Sequence, residues 1–212
     1  PLMPHPDTTL ITGASSGLGE ALALAHARPG ATLGLLARRA DRLAAVADAC
    51  RARGADAVPI VRDIRDAPGL DAALRAFDAD HPVDRLIVNA ISTNARIDQL
   101  CAAVRTAEAL LPAMLARGRG QVALIASVAA LRGLADSPSY CASKAGLRLY
   151  GESLRARLLG TGVGISVVLP GFFASAMSDR YDGPRPLIVS ADAMAAASSS
   201  LQRSGWRDLH AY

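Results

Sequence analysis

TLITGASSGLGEALA, residues 9 to 23, passes from an apolar run into three glycines and on into a helical pattern without a break. Gly13, Gly17 and Gly19 stand in a G-x-x-x-G-x-G spacing. Glycine lets the backbone turn tightly and approach a pyrophosphate closely, and the N-terminus of the following helix offers unpaired N–H groups to anionic oxygens. Gly13, Gly17 and Gly19, with Ser15, Ser16 and Leu18 in the same loop, are the candidate cofactor-binding residues here. A plain tight turn is the alternative for the glycines alone; their place between strand and helix favours a dinucleotide site.

Outward from this loop the same alternation continues. Strand-like runs occupy 9–12, 31–37, 57–61, 85–90, 121–127 and 163–169, with helical stretches near 17–28, 40–53, 67–79, 98–117 and 138–159 between them. The last helix is well punctuated: Ser137 as a cap, Pro138 in the first turn and Gly160 just past the end. Strands apolar on both faces that alternate with helices imply a parallel sheet covered on both sides. Right-handed crossovers then make an α/β, doubly wound Rossmann fold, with ligands outside the carboxyl ends of the strands. No repeat or linker divides residues 1–212, so a single dinucleotide-binding catalytic domain is expected.

Composition narrows the function. With 212 residues, 51% hydrophobic and 20% charged, the chain can bury a full core. Its longest apolar runs are too short to cross a bilayer, and PLMPHPDTTL lacks the features of a secretory signal, so a cytoplasmic protein is expected. Cys50, Cys101 and Cys141 are widely spaced, as are the four histidines, which argues against disulfides and a metal site. The net charge of +4 comes from arginines scattered over nearly every helix; dispersed solvated arginine explains it better than nucleic-acid binding.

Two further features bear on chemistry. Arg38 and Arg39 follow the second strand, where many NAD-binding folds carry an acid for the adenosine ribose; with Ser15 they would suit a 2′-phosphate. NADP(H) is therefore preferred and NAD(H) possible, solvated arginines being the alternative. The second feature is Lys144, the one lysine among 23 basic residues. It lies four residues after Tyr140, so on a helix the two share a face, where a compact ammonium would lower the phenol's pKa. Ordinary packing and a lysine retained by chance is the alternative for this pair alone.

Together these residues resemble the short-chain dehydrogenase/reductase family over almost the whole chain. TGASSGLG matches the family's cofactor loop and YCASK its Y-x-x-x-K motif. Asp63, with Ile64 beside it, matches the adenine-contacting aspartate after the third strand, and Asn89 and Ala90 match part of the N-A-G segment after the fourth. Ser127 stands where the family keeps its catalytic serine, and PGFFAS matches the P-G segment, bringing in Pro170, Gly171 and Phe173. The resemblance implies an NADP(H)-dependent oxidoreductase that interconverts a carbonyl and a secondary alcohol. Tyr140 would be the proton carrier, Lys144 would lower its pKa and hold the nicotinamide ribose, and Ser127 would position the substrate oxygen. Cys141 reads as packing rather than as a nucleophile.

The chain departs from the family where N-A-G becomes NAIST, with Ile91 for glycine, and the interval from Ala90 to LLPAML is short. The asparagine that many members use to hold a relay water has no match; Gln99 is the nearest candidate. A lid-like segment at about 171–190 carries Phe172, Phe173, Met177, Tyr181, Leu187 and Ile188, which suits a small apolar substrate or packing of the lid itself. A helix from Ser190 and a brief final strand in WRDLHAY follow. A homodimer is expected, with a tetramer possible. The rival reading is a catalytically impaired dinucleotide-binding protein that acts through interaction; retention of Ser127, Tyr140 and Lys144 together disfavours it. A nucleotide-sugar epimerase or dehydratase would need a larger C-terminal substrate domain than this chain has room for.

Overall fold

The computed structural model describes residues 8–89, 97–171, 190–193 and 195, with the backbone of 209–211. Strands and helices alternate: β1 Thr8–Thr12, α1 Gly17–His26, β2 Thr32–Ala37, α2 Ala40–Arg51, β3 Asp56–Val61, α3 Ala67–Asp80, β4 Arg85–Val88, α4 Ile97–Ala116, β5 Gly120–Ile125, α5 Pro138–Arg157, β6 Val163–Pro170 and β7 Leu209–Ala211. All seven strands are parallel, in the order β3-β2-β1-β4-β5-β6-β7. This is the doubly wound α/β architecture expected from the alternation.

The two-residue period of a strand explains the two cores. In β1, Leu10 enters one core and its neighbour Ile11 the other; β4 does the same with Leu86 and Ile87, and β5 with Leu124 and Ile125. One core takes in Leu74 and Phe77 of α3, Leu110 and Met114 of α4 and Leu147 and Leu154 of α5. The opposite core is closed by Leu18 and Leu22 of α1 with Leu43, Val46 and Cys50 of α2. Each fully buried leucine or isoleucine contributes roughly 1.5–3 kcal/mol relative to exposure, which makes the central strands the rigid base of the site.

Sheet order then places the crevice. The chain winds from β1 out to β3 and returns to lay β4 against the other side of β1, with Ile11 opposite Ile87. The connections at the carboxyl ends of β1 and β4 leave in opposite directions, so a cleft opens between them.

Several expectations are corrected. β3 is not apolar on both faces: it alternates exposed and covered residues and contains Pro59, both suited to an edge strand that needs fewer ladder donors. β4 stops at Val88 because the Asn89 N–H bonds Thr12 Oγ1 at 3.0 Å. β5 stops at Ile125, and Ser127 instead begins a short 3-10 turn, its Oγ accepting the Ala129 N–H at 3.2 Å. Ser137 precedes α5 but makes no side-chain cap bond, although Pro138 and the left-handed Gly160 fall as expected. The arginines are not all solvated. Arg85 is only 4% exposed and donates to Gln121 at 2.8 and 3.1 Å, while Arg117 grips the buried Asp78 at 2.8 and 2.9 Å.

Past the P-G segment, residues 191–193 and 195 are helical, the Ala193 N–H bonding Ser190 Oγ at 3.0 Å, and β7 lies where a brief final strand was expected. No helix among the described residues is long and apolar enough to cross a membrane.

Candidate active site

The glycine loop leaves β1 in a conformation that L side chains resist. Gly13 has φ 69° and Gly17 φ 56°, both left-handed. Gly19 is needed for another reason: a side-chain carbon there would collide with the Gly13 carbonyl and come within 2.6 Å of Asn89 Nδ2. The helix is thus seated directly on the loop and on the end of β4. Ser16 is the N-cap of α1 but makes no capping bond with its side chain. Leu18 turns its side chain into the core, which leaves only its backbone toward the loop. Ser15 is buried at the carboxyl end of β1, between the strand and the arginines that follow β2.

Those arginines take different roles. Arg39 Nη2 donates to Ser16 Oγ at 2.7 Å and Ser15 Oγ at 3.1 Å, drawing its guanidinium onto the glycine loop. Arg38 is more than half exposed and lies 3.7 Å from Asp63. Asp63 is held chiefly by Arg65, whose hydrogen bonds bring its carboxyl down to about 2. Ile64 is partly buried against the core beneath. Asn89 is buried, and its Oδ1 has no hydrogen-bond partner among the described residues.

These residues fit a dinucleotide. The loop is built from left-handed glycines, no side chain fits between it and α1, cations stand at the end of β2, and Asn89 beside the loop keeps a buried amide oxygen with no partner among the described residues. Pro170 and Gly171 lie at the carboxyl end of β6, on the same edge of the sheet. Ala90, Ile91, Phe173 and nearly all of the lid-like segment lie outside the described residues.

The second half of the site lies at the end of β5. Ser127 is buried just beyond the strand, and α5 brings the Tyr140 phenol alongside it. One helical turn on, Lys144 is 5% exposed and its Nζ donates to the Ile125 carbonyl at 2.9 Å. The ammonium stands 5.9 Å from the Tyr140 ring centroid.

The electrostatics differ from the expectation. Burial raises the Tyr140 pKa above its ordinary 10, outweighing the hydrogen bond to Ser127 that lowers it. Burial also pushes Lys144 down to about 8. In this arrangement Lys144 does not depress the phenol, because its amine is tied to a strand carbonyl and both groups have lost water. At neutral pH the pair is thus a neutral phenol beside a cation.

A cavity of ≈ 10 Å³ adjoins the amine, with Gln99, Ile125, Ser143 and Lys144 among its lining residues, a volume at the threshold for one water. Cys141 is buried and accepts the Leu134 N–H at 3.3 Å, the packing role expected of it. The sequence reading passed over Thr12, Ser143 and Arg65. Thr12 carried a weak signal as a polar residue ending an apolar strand, and Arg65 carried another as a basic residue two positions beyond Asp63. Among the described residues no group of three or more His, Cys, Asp or Glu side chains is arranged to hold a metal ion.

A crevice at the reversal of a doubly wound sheet, beside a Ser-Tyr-Lys cluster, is the architecture of a dinucleotide-dependent oxidoreductase. The chain belongs to the short chain dehydrogenase family, whose sequence profile matches residues 7–184, and it is an oxidoreductase of that family. It is 38% identical over 197 residues to an uncharacterized oxidoreductase of Myxococcus xanthus, covering 86% of this chain and 78% of that protein. It is 39% identical over 180 residues to the ketoacyl reductase HetN of Nostoc sp., covering 78% of this chain and 63% of that protein. A metagenomic short-chain oxidoreductase solved in complex with NADP superposes with a TM-score of 0.80 at 26% identity, over 96% of this chain and 95% of that one.

Proposed function

We propose that the protein interconverts a carbonyl and a secondary alcohol with NADP(H), Tyr140 carrying the proton and NAD(H) serving as the lesser cofactor. The nicotinamide, when bound, supplies or accepts the hydride. The observation that carries the reading is the meeting of Tyr140, Ser127 and Lys144 at the carboxyl end of β5. A phenol whose pKa lies above 10 keeps its proton at neutral pH, so Tyr140 is a donor ready for a developing alkoxide. Ser127, beside that phenol, orients the substrate oxygen toward it. Lys144, with a pKa near 8, is largely cationic at pH 7 and stands 5.9 Å from the Tyr140 ring centroid. It would also hold the nicotinamide ribose.

Gln99 shares the cavity beside Lys144, which supports its use in place of the asparagine to hold a relay water. Arg39 on the two loop serines supports the preference for a 2′-phosphorylated cofactor. Leu131 and Leu134, 44% and 39% exposed on the connection between Ser127 and Tyr140, support a small, apolar substrate. A homodimer through α4 and α5 belongs to the same reading, supported by the exposed Leu115 and Leu149, with a tetramer as the larger form. A cytoplasmic setting accords with the three free cysteines.

Tyr140→Phe tests the assignment. Turnover of ketones and aldehydes, followed as NADPH oxidation, should vanish while NADPH binding stays within about twofold, because the lost hydroxyl contributes a proton rather than most of the binding surface. Substantial residual turnover would reject Tyr140 as proton carrier.

A further inference from the structure

Two adjacent strand ends bring four charged side chains together. Arg38 and Arg39 follow β2, Asp63 lies two residues past β3, and Arg65 lies two residues beyond Asp63. Asp63, matched above to an adenine contact, also stands 3.7 Å from Arg38, where its carboxylate competes for the guanidinium that a phosphate dianion would use. Arg65 removes that conflict. Its backbone N–H and Nε reach Asp63 Oδ1 at 3.0 and 3.1 Å, and its Nε and Nη2 reach Oδ2 at 3.2 and 2.6 Å. Both carboxylate oxygens are therefore engaged by one side chain. Arg38, at 3.7 Å and 56% exposed, makes only a loose ion pair with the same carboxylate.

We infer that Arg65 is a specificity-determining residue: by occupying Asp63 it leaves Arg38 to a 2′-phosphate and so sets the preference for NADP(H) over NAD(H). The inference rests on the NADP(H) reading above. Arg65 does not itself need to touch the cofactor. Without it, Asp63 would hold Arg38 more closely and withdraw its guanidinium from the phosphate. Arg62 provides the contrast, because it is also exposed at the same strand end but donates to the neighbouring Val61 carbonyl at 2.9 Å rather than to Asp63.

The test is a titration of NADPH and of NADH, followed by nucleotide fluorescence at low and high salt. The proteins are the wild type, Arg65→Ala, Arg62→Ala, Asp63→Asn and the double variant Asp63→Asn/Arg65→Ala, with far-UV circular dichroism confirming the fold of each. Arg65→Ala should weaken NADPH about fivefold and NADH less than about twofold, the difference shrinking as salt rises. Arg62→Ala should leave the ratio of the two affinities unchanged. In the Asp63→Asn background, removing Arg65 should no longer alter that ratio.

An equal loss for both cofactors in Arg65→Ala would overturn the inference, as would the same change in Arg62→Ala. A full additional loss of NADPH in the double variant would also overturn it, since Arg65 would then act on the phosphate directly. If the wild type binds NADPH no more tightly than NADH, the NADP(H) reading itself fails and the inference with it; that outcome is read from the wild type alone.

Discussion

Replacing Lys144 with methionine should make the protein inactive without making it less stable. Burial moves the Lys144 pKa from 10.5 to about 8, and at about 1.36 kcal/mol per unit this disfavours the charged form in the fold by about 3 kcal/mol at pH 7. Because the folded pKa is the lower of the two, the penalty is fully present below about pH 8, declines from there to about 10.5, and is gone once the amine is neutral in both states. Against this stands one charge-assisted hydrogen bond, Nζ to the Ile125 carbonyl at 2.9 Å, with about 1.5–3 kcal/mol lost when it is removed. Methionine keeps the apolar stem in place. The variant should therefore be as stable as the wild type at pH 7 or more stable by up to about 2 kcal/mol.

The pH dependence is the sharper readout. Between pH 7 and pH 10 the wild type should gain about 2 kcal/mol relative to the variant, as its buried amine becomes free to shed its proton. Urea unfolding of both proteins at pH 7, 8, 9 and 10 measures the difference, in which other titrating groups largely cancel. A difference that stays constant over this range would refute the claim that Lys144 is a desolvated cation. Retained carbonyl reduction by the variant would refute its catalytic part.

The remaining predictions concern the loop, the phosphate end and the core. Gly19→Ala should cost about 1–3 kcal/mol in stability and weaken binding of both NADPH and NADH, because the added methyl displaces the loop from α1; thermal unfolding and nucleotide titration would show both. Arg39→Ala should reduce NADPH affinity roughly tenfold while leaving NADH within about twofold, and calorimetric titration with both nucleotides decides it. Arg117→Ala leaves Asp78 buried without its ion pair, at a cost of roughly 3 kcal/mol, and should lower the melting temperature with little change in KM.

The alternation of strands and helices was readable because side-chain periodicity is local, and all five helices of the sequence reading appear within three residues of their expected ends. Strand ends were less readable. Asn89 and Ser127 look like strand continuations by composition, yet Asn89 sends its N–H to Thr12 Oγ1 and Ser127 caps the turn that follows it, choices made by neighbours in space. The site divides in the same way. The glycine loop follows from spacing, whereas Arg65 escaped notice because nothing in RDIRD says which arginine Asp63 will hold.

By itself the sequence determined the alternation of strands and helices, the glycine loop between the first of them and the single helical turn between Tyr140 and Lys144. Each depends on contacts between residues only a few positions apart. Tertiary structure alone decided the charge states. It put Lys144 against the carbonyl of Ile125, nineteen residues away, raised the phenol rather than lowering it, and left Asn89 Oδ1 without a partner among the described residues. The physical reason is that desolvation sums over everything packed around a group, and in a parallel sheet those neighbours arrive from distant parts of the chain.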